Sequence, residues 1–358
     1  MASIHDVAQL AGVSVATVSR VLNSSESVTE ATRAKVRSAM LRLGYTPNPS
    51  ARTLRNNRTG LLALITPDII NPYFAAVASG VQDMCRKSKY QLILCSTGGD
   101  ESIEISYLDL LSNKQVDGII IAPPGTHSNP KSDAKIQNLL NRNYPLVMIG
   151  RRFESETVGC DIVTTNTAVG TREAMRHILD GGHSRIAYLG GPNPSVAKTR
   201  LATFRSSLSA NGLIIDENLI FQTNLTLEDG YKICRKLLSV ANRPTAIFAV
   251  NDMVAIGAMI ALQESGIAIP AEMIVVGFDD IPLAAMFRPS LSTVVQPKYD
   301  LGHIAAERLI ARIEGLVDRF ETISLPTHLV IRESSMSQQT SKMPEADNQL
   351  SRKNTTVL

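Results

Sequence analysis

No apolar run in this 358-residue chain approaches the ~18 residues of a membrane-spanning helix. The longest candidate, Met253–Leu262, falls well short and carries a glycine. The amino terminus, Met-Ala-Ser-Ile-His-Asp, lacks the charged-then-apolar layout of a signal peptide, so a cytoplasmic location is expected. Tryptophan is absent. The four cysteines (Cys85, Cys95, Cys160, Cys234) form no C-x-x-C pair and no cluster with histidine. Reduced, packed thiols are expected, with no metal site and no cofactor. G-x-x-x-x-G-K-[ST], G-x-G-x-x-G and H-E-x-x-H are also missing, which argues against the common nucleotide-binding and zinc enzymes. A surplus of one charge is missing too: the net charge is only +3. Apolar residues reach 44%, enough to bury a sizeable core, so wholesale disorder is excluded.

The small net charge hides an asymmetry. Residues 1–60 carry eight basic side chains against three acidic ones, +5, and the remainder carries 28 against 30, −2. A basic head on a slightly acidic body points to nucleic acid at one end. In the head, Ser3-Ile4-His5-Asp6 reads as a capping box, with Ile4, Val7, Ala8, Leu10 and Ala11 making an apolar side until Gly12 breaks it. Ser14 caps a second helix over 15–22, and Thr29 a third over Glu30–Leu43, which Gly44 stops. Two short helices about a tight turn, followed by a third, make a helix-turn-helix unit, and its second helix reads the major groove. Val15 and Ala16 suit a thymine methyl, and Arg20 can fork onto guanine O6 and N7. Ser14, Thr17, Ser19 and Asn23 suit phosphate oxygens. The competing reading is a plain three-helix surface subdomain with Arg20 solvated.

Tyr45-Thr46-Pro47-Asn48-Pro49 is a stiff linker. Pro49 fits the first position of a helix capped by Asn48 and running through Ser50–Asn56. So short a helix needs a partner, either its symmetry mate or DNA. Leu54 flanked by Arg52 and Arg55 suits a minor-groove wedge, the arginines meeting the backbone; the alternative is a linker with Leu54 packed on the body.

At these residues a resemblance becomes plain. Ile4-His5-Asp6-Val7-Ala8, Gly12-Val13-Ser14, Thr17-Val18-Ser19-Arg20-Val21-Leu22-Asn23, Gly44-Tyr45-Thr46-Pro47-Asn48 and Ala51-Arg52-Thr53-Leu54 resemble the lactose/galactose repressor (LacI/GalR) family of bacterial transcription regulators. The resemblance covers about residues 3–335. It implies base reading by positions 15, 16 and 20, Leu54 as the hinge wedge, and homodimers on near-palindromic operator DNA.

From Leu61 onward short apolar runs alternate with helical stretches. A first series of strands (Leu61–Ile65, Gln91–Cys95, Gly118–Ala122, Leu146–Ile149) is followed by a second, opening at Ile162–Val163 and continuing through Ile186–Leu189, Ala246–Val250 and Ile274–Phe278. Such alternation means parallel sheets with right-handed crossovers, here two doubly wound lobes with a cleft between them. Ligands bind off the carboxyl ends of such strands. Those ends carry Asp68, Asn71-Pro72-Tyr73-Phe74, Thr97-Gly98-Gly99-Asp100, Arg151-Arg152, Ser195 with Arg200, Asn251-Asp252 and Asp279-Asp280, and Gln296-Pro297 falls in a strand crossing between lobes. Carboxylates, amides and arginines can pair with vicinal hydroxyls, and Tyr73 or Phe74 can cover an apolar sugar or base face. Each has a duller alternative: Asp252 and Asp279 as caps of helices or turns, Arg200 as an exposed ion-pair partner.

The resemblance implies Tyr73, Phe74, Arg151, Arg200, Asn251 and Asp279 as effector contacts, and matches Arg185-Ile186-Ala187, Gly277-Phe278-Asp279-Asp280-Ile281 and Leu329–Ser334. The body alone is similar to periplasmic sugar-binding proteins. The chain departs from its relatives at Gly150, where several carry aspartate, and at Pro123-Pro124, which leaves the effector's identity open. The Arg151–Arg152 pair invites an acidic or phosphorylated sugar, or is simply solvated.

The expected organisation is a helix-turn-helix DNA-binding domain over 1–46, a linker and hinge helix over 47–60, a two-lobed effector-binding and dimerisation domain over 61–335, and a disordered tail over 336–358. That tail lacks a leucine heptad, so a dimer is expected. The function these readings give is a non-enzymatic, sequence-specific repressor controlled allosterically by a small molecule, a sugar or sugar derivative, bound between the lobes. The rivals are a sugar-binding transport component and a doubly wound sugar-modifying enzyme.

Overall fold

A computed structural model of the chain describes residues 2–22, 27–45, 58–113, 115–122, 130–150, 159–191 and 195–336. Asn23, Arg52, Leu54, Arg55, Arg151, Arg152, Pro123-Pro124 and the tail beyond Met336 lie outside these residues, as does the side chain of Ser195. The chain divides into two compact units, residues 1–60 and 61–358.

The first unit holds α1 (Ile4–Ala11), α2 (Val15–Leu22) and α3 (Glu30–Leu43). Local chemistry sets each end. The Ser3 N–H donates to Asp6 Oδ2 at 2.7 Å, and the Asp6 N–H returns a bond to Ser3 Oγ at 3.3 Å. These bonds hold the Asp6 carboxyl below its ordinary range. Gly12 ends α1 at φ +63, a left-handed conformation that would strain a residue with a Cβ. Thr29 caps α3 through the Thr32 N–H, and Gly44 ends it at φ +59. Val7, Val18, Val21, Val28, Val36 and Ala39 form the core.

The second unit contains two six-stranded sheets. In the first, the order is β11 (Thr322–Leu325), β5 (Asp161–Thr165), β4 (Leu146–Ile149), β3 (Gly118–Ile121), β1 (Leu61–Thr66), β2 (Gln91–Ser96). In the second it is β12 (His328–Val330), β10 (Ser292–Val295), β9 (Ile274–Asp279), β8 (Ala246–Ala249), β6 (Ile186–Gly190), β7 (Ile220–Gln222). Among the described residues all pairs are parallel except β10 with β12. The helices between them are α4 (Pro72–Lys87), α5 (Glu101–Ser112), α6 (Pro130–Asn141), α7 (Thr167–Asp180), α8 (Ser195–Ala210), α9 (Leu227–Leu237), α10 (Asp252–Glu264), α11 (Pro282–Met286) and α12 (Lys298–Ile313).

Two sequence expectations are corrected. The Ile162–Val163 strand does not open the second lobe: β5 pairs with β4, Val147 beside Asp161, and closes the first sheet together with β11. Chain order suggested otherwise because the lobe boundary falls after β5, at Asn166. Gln296-Pro297 is not strand: β10 ends at Val295, and the two residues form the turn into α12. That helix then packs on β3, β4 and β5 of the first lobe.

Among the described residues the chain therefore crosses between lobes three times, near residues 166, 296 and 326, and the crossings are laced together. Thr165 Oγ1 donates to Gln296 Oε1 at 2.6 Å. Thr327 Oγ1 donates to the Asn166 carbonyl at 2.8 Å and accepts the Gly170 N–H at 3.0 Å.

Each lobe also contains a helix pair packed backbone to backbone. A Cβ on Gly302 of α12 would lie 2.0 Å from the Val77 carbonyl oxygen of α4, and one on Gly80 2.1 Å from that of Tyr299. In the second lobe a Cβ on Gly257 of α10 would lie 2.0 Å from the Leu227 carbonyl oxygen, and one on Gly230 of α9 2.1 Å from that of Val254. Here a methyl has no flexible neighbour to displace, so the helices must separate. Gly302→Ala is expected to cost about 1–3 kcal/mol by urea unfolding; a change within about 0.5 kcal/mol would show that the helices part freely.

Candidate functional site

The first candidate surface is α2. Its buried side, Val18 and Val21, faces the head core. Ala16 and Arg20, one turn apart, are both exposed, while Val15 is half-buried against the core. Ser14 Oγ caps the helix by accepting the Thr17 N–H at 3.1 Å, and the two hydroxyls lie 2.9 Å apart. Thr17 and Ser19 are half-buried. α2 thus presents a small apolar group and a guanidinium on one edge, beside short hydroxyls. Lys35, Arg37 and Arg42 of α3 are exposed in the same unit.

The second site lies at the carboxyl ends of the sheets. Asn71 caps α4 by accepting the Tyr73 N–H at 3.0 Å, and Pro72 occupies the first turn. Tyr73 is thereby placed against the cores of both lobes. Its ring meets that of Phe74 edge-on, centroids 5.0 Å apart. Burial, together with the Asp279 charge, pushes the Tyr73 hydroxyl well up.

From the second lobe comes Arg200, buried in α8. Its guanidinium lies 3.7 Å above the Phe278 ring, and Nη1 donates to the Val250 carbonyl at 2.6 Å. Arg200 Nε is buried and has no partner among the described residues. Asp279, at the end of β9, is buried as well. Burial pushes its carboxyl up to about 6, opposed by the Arg200 charge, the Gln296 hydrogen bond and the Lys298 charge. Gln296 Nε2 donates to Asp279 Oδ1 at 2.6 Å, so Gln296 joins Asp279 of one lobe to Thr165 of the other.

The Asp279–Ile281 turn is held from every side. Asp279 has φ +113 and Asp280 φ +53, two successive positions that L side chains rarely adopt. Lys298 Nζ donates to the Asp279 carbonyl at 2.9 Å and to that of Asp280 at 2.7 Å. The Asp280 N–H reaches Thr293 Oγ1 at 3.4 Å, and the Ile281 N–H reaches Asp252 Oδ2 at 2.8 Å. Asp252 also accepts from Thr293 Oγ1 at 2.5 Å; burial and the Asp279 charge push its carboxyl well above the ordinary range. Arg332 Nη2 holds Asp280 Oδ1 at 2.6 Å.

Of the sequence candidates, the structure brings Arg200, Asp279 and Gln296 together, with Tyr73 close enough to feel Asp279 and Arg200. Asn251 stands beside them, but its amide is engaged: Oδ1 caps α10 through the Val254 N–H at 2.8 Å, and Nδ2 donates to the Leu225 carbonyl at 3.0 Å. Asp100 is exposed and caps α5 through the Ser102 N–H at 2.7 Å. Ser195 begins α8. Thr165, Thr293 and Lys298 escaped sequence reading, and Phe278 and Arg332 stood in it only within stretches that match the family, with no role assigned. Most lie on crossings or antiparallel edges, where no strand-end rule points; Phe278 is an ordinary strand residue until the guanidinium is seen above it.

A buried carboxylate, a guanidinium with a spare N–H and an amide, flanked by two aromatic rings, can grip adjacent hydroxyls of a small ring while covering its apolar face. Among the described residues no three His, Cys, Asp or Glu side chains are grouped to hold a metal, and no helix is long and apolar enough to cross a membrane. All four thiols are free and buried.

A helix-turn-helix reader joined to a two-lobed body with a buried polar group at its strand ends defines a DNA-binding regulator with an effector-binding domain. Residues 3–48 match the profile of bacterial regulatory proteins of the lacI family, and residues 175–335 match that of a periplasmic binding protein-like domain. The chain is 38% identical to the HTH-type transcriptional regulator DegA of Bacillus subtilis (strain 168), covering 93% of this chain and 98% of that protein. It is 36% identical to the ribose operon repressor of Haemophilus influenzae (strain ATCC 51907 / DSM 11121 / KW20 / Rd), over 94% and 99%. The crystal structure of the lac repressor dimer bound to operator and the anti-inducer ONPF superposes with a TM-score of 0.82 at 27% identity, over 94% and 99% of the two chains. The chain belongs to the LacI family of bacterial regulatory proteins. It is a DNA-binding transcriptional regulator of the repressor type, and its relatives are transcriptional regulators, not enzymes.

Proposed function

We propose that this regulator represses transcription as a homodimer on near-palindromic operator DNA in the cytoplasm, under the control of a sugar or sugar derivative bound between its lobes. The observation that carries the reading is the buried Arg200–Asp279–Gln296 group, whose unpartnered Arg200 Nε and charged Asp279 suit vicinal hydroxyls. Tyr73 and Phe74 cover the ligand's apolar face, with Asn251, Asp100, Arg151 and Ser195 as further contacts. The relative named for the ribose operon supports a sugar. The dimer on operator supports the assembly. Residues 1–46 form the reader, 47–60 the linker and hinge, 61–335 the sensor and 336–358 a tail.

In the reader, Val15, Ala16 and Arg20 contact bases, and Ser14, Thr17, Ser19 and Asn23 the backbone; Leu54, with Arg52 and Arg55, enters the minor groove. Ligand in the cleft favours one lobe arrangement, and a coupling of about 1–3 kcal/mol between cleft and hinge shifts operator affinity from several-fold to over a hundredfold. A thermal-shift screen of sugars, sugar acids, sugar phosphates and nucleosides tests the effector class. A ligand at 100 times Kd stabilises by about 2.7 kcal/mol. Stabilisation by nucleosides alone would overturn the sugar reading. For the reader, Arg20→Ala is expected to lose about 1–3 kcal/mol of discrimination at one G·C pair; uniform weakening across all operator variants would remove Arg20 from base contact.

A further inference from the structure

We propose that Lys298 is a positioning residue of the effector site, holding the Asp279–Asp280 turn in place from the opposite lobe. The inference rests on reading the Asp279 cleft as that site. Lys298 is the first residue of α12, which packs on the first sheet, whereas the turn ends β9 of the second. Its ammonium binds two successive carbonyls, at 2.9 and 2.7 Å, across the lobe boundary. Those carbonyls belong to the two residues with positive φ, so the cation fixes the backbone where it is least able to fix itself.

The placement runs against helix electrostatics. A cation in the first turn faces the positive end of the helix dipole, and α12 has no side-chain cap. Binding two carbonyls of the neighbouring lobe accounts for a lysine there. The other groups facing Asp279 are Arg200 from α8, Gln296 from the crossing, Tyr73 from α4 and Asp252 from α10, with Asp280 beside it under Arg332. None of these grips the turn's backbone from the first lobe; among the described residues Lys298 alone does so.

α12 extends the consequence. Its sixteen residues span about 24 Å. At its far end, Arg308 and Arg312 bind Asp161 at the start of β5, and Leu309 and Ile313 pack against Gly118 at the start of β3. These are the amino ends of the strands, the edge at which Leu61 begins β1. A shift of the Asp279 turn thus acts on a rod that reaches the edge where the connector from the head enters.

The test compares full-length wild type with Lys298→Met and Lys298→Arg, first without ligand. Carbon-13 titration of aspartate-labelled protein should show the Asp279 midpoint rising from about 6 by about one pH unit in Lys298→Met, because a nearby positive charge is lost. Lys298→Arg should restore it. Hydrogen exchange across 279–284 should quicken about tenfold in Lys298→Met and stay unchanged across 227–264. An unmoved midpoint with unchanged exchange would overturn the proposal.

Should Lys298→Met fail to fold, wild-type exchange decides: the Asp280 and Ile281 amides should exchange as slowly as those of β9, and exposed-loop rates would overturn the proposal. With D-ribose as the probe, Lys298→Met should bind about tenfold more weakly and Lys298→Arg should recover, and equal affinity in all three would count against it. Failure of the wild type to bind D-ribose would count against ribose as effector, while titration and exchange still decide the role of Lys298.

Discussion

Asp279→Asn is expected to shift the effector response to about hundredfold higher ligand and, at neutral pH, to make the protein more stable. The two effects share one cause. Burial raises the folded-state carboxyl from 3.8 to about 6. Folding therefore favours the protonated form, and the ionised form carries a cost of about 3 kcal/mol at 1.36 kcal/mol per pH unit. That cost is fully present above about pH 6 and absent below about pH 4. Asparagine removes the charge while Oδ1 still accepts from Gln296, so the variant should gain about 2–3 kcal/mol at pH 7. The gain should shrink on acidification and vanish near pH 4. For the ligand, the loss of charge-assisted bonds to hydroxyls, about 1.5–3 kcal/mol each, weakens binding by about a hundredfold. Thermal unfolding from pH 4 to 8, with effector titration of operator binding, checks both. A pH-independent stability difference would remove Asp279 from the buried, charged state, and an unshifted response would move the effector site elsewhere.

Asp161→Ala is expected to cost about 3–5 kcal/mol. Asp161 is fully buried at the start of β5 and accepts from Arg308 Nη2 at 2.8 Å, Arg312 Nε at 2.8 Å and the Glu321 N–H at 3.0 Å. Both guanidiniums also reach the Arg319 carbonyl, and Arg312 lies 4.1 Å above the Phe320 ring. Their side chains are only 15% and 14% exposed. Removing the carboxylate would leave two largely desolvated cations beside a cavity, with the partly exposed Glu321, 3.2 Å from Arg308, as the carboxylate still paired to them. Urea unfolding measures the loss, and a cost below about 1 kcal/mol would show that water replaces the carboxylate freely.

The head was legible because its determinants are local. Ser3, Gly12, Ser14, Thr29 and Gly44 fix helix ends within one turn of themselves, and no distant contact revises them. The strand–helix alternation of the body was legible for the same reason. Sheet membership was not: β5 belongs with β4 through pairing, while its sequence reads equally well as the start of the next series. The strand-end rule found Arg200, Asp279 and Tyr73, because parallel topology gathers such ends. It also named Asp100, whose carboxylate caps α5 at another strand end, and it passed over Lys298 and Thr165. Those two matter only because the chain returns from the second lobe to the first, which no local pattern records.

That return bears on synthesis. The first lobe begins at Leu61, yet α12 and β11, which complete it, are residues 298–325, and β11 pairs Ile323 with Val163. The ribosome must add some 160 residues after Val163 before its partner emerges, roughly 8–30 s at 5–20 residues per second. The head, built from near-neighbour contacts, has no such wait. A nascent chain therefore carries a finished DNA reader well before the sensor that governs it is closed, and a chain cut short before residue 298 lacks the helix and strand that complete its first lobe.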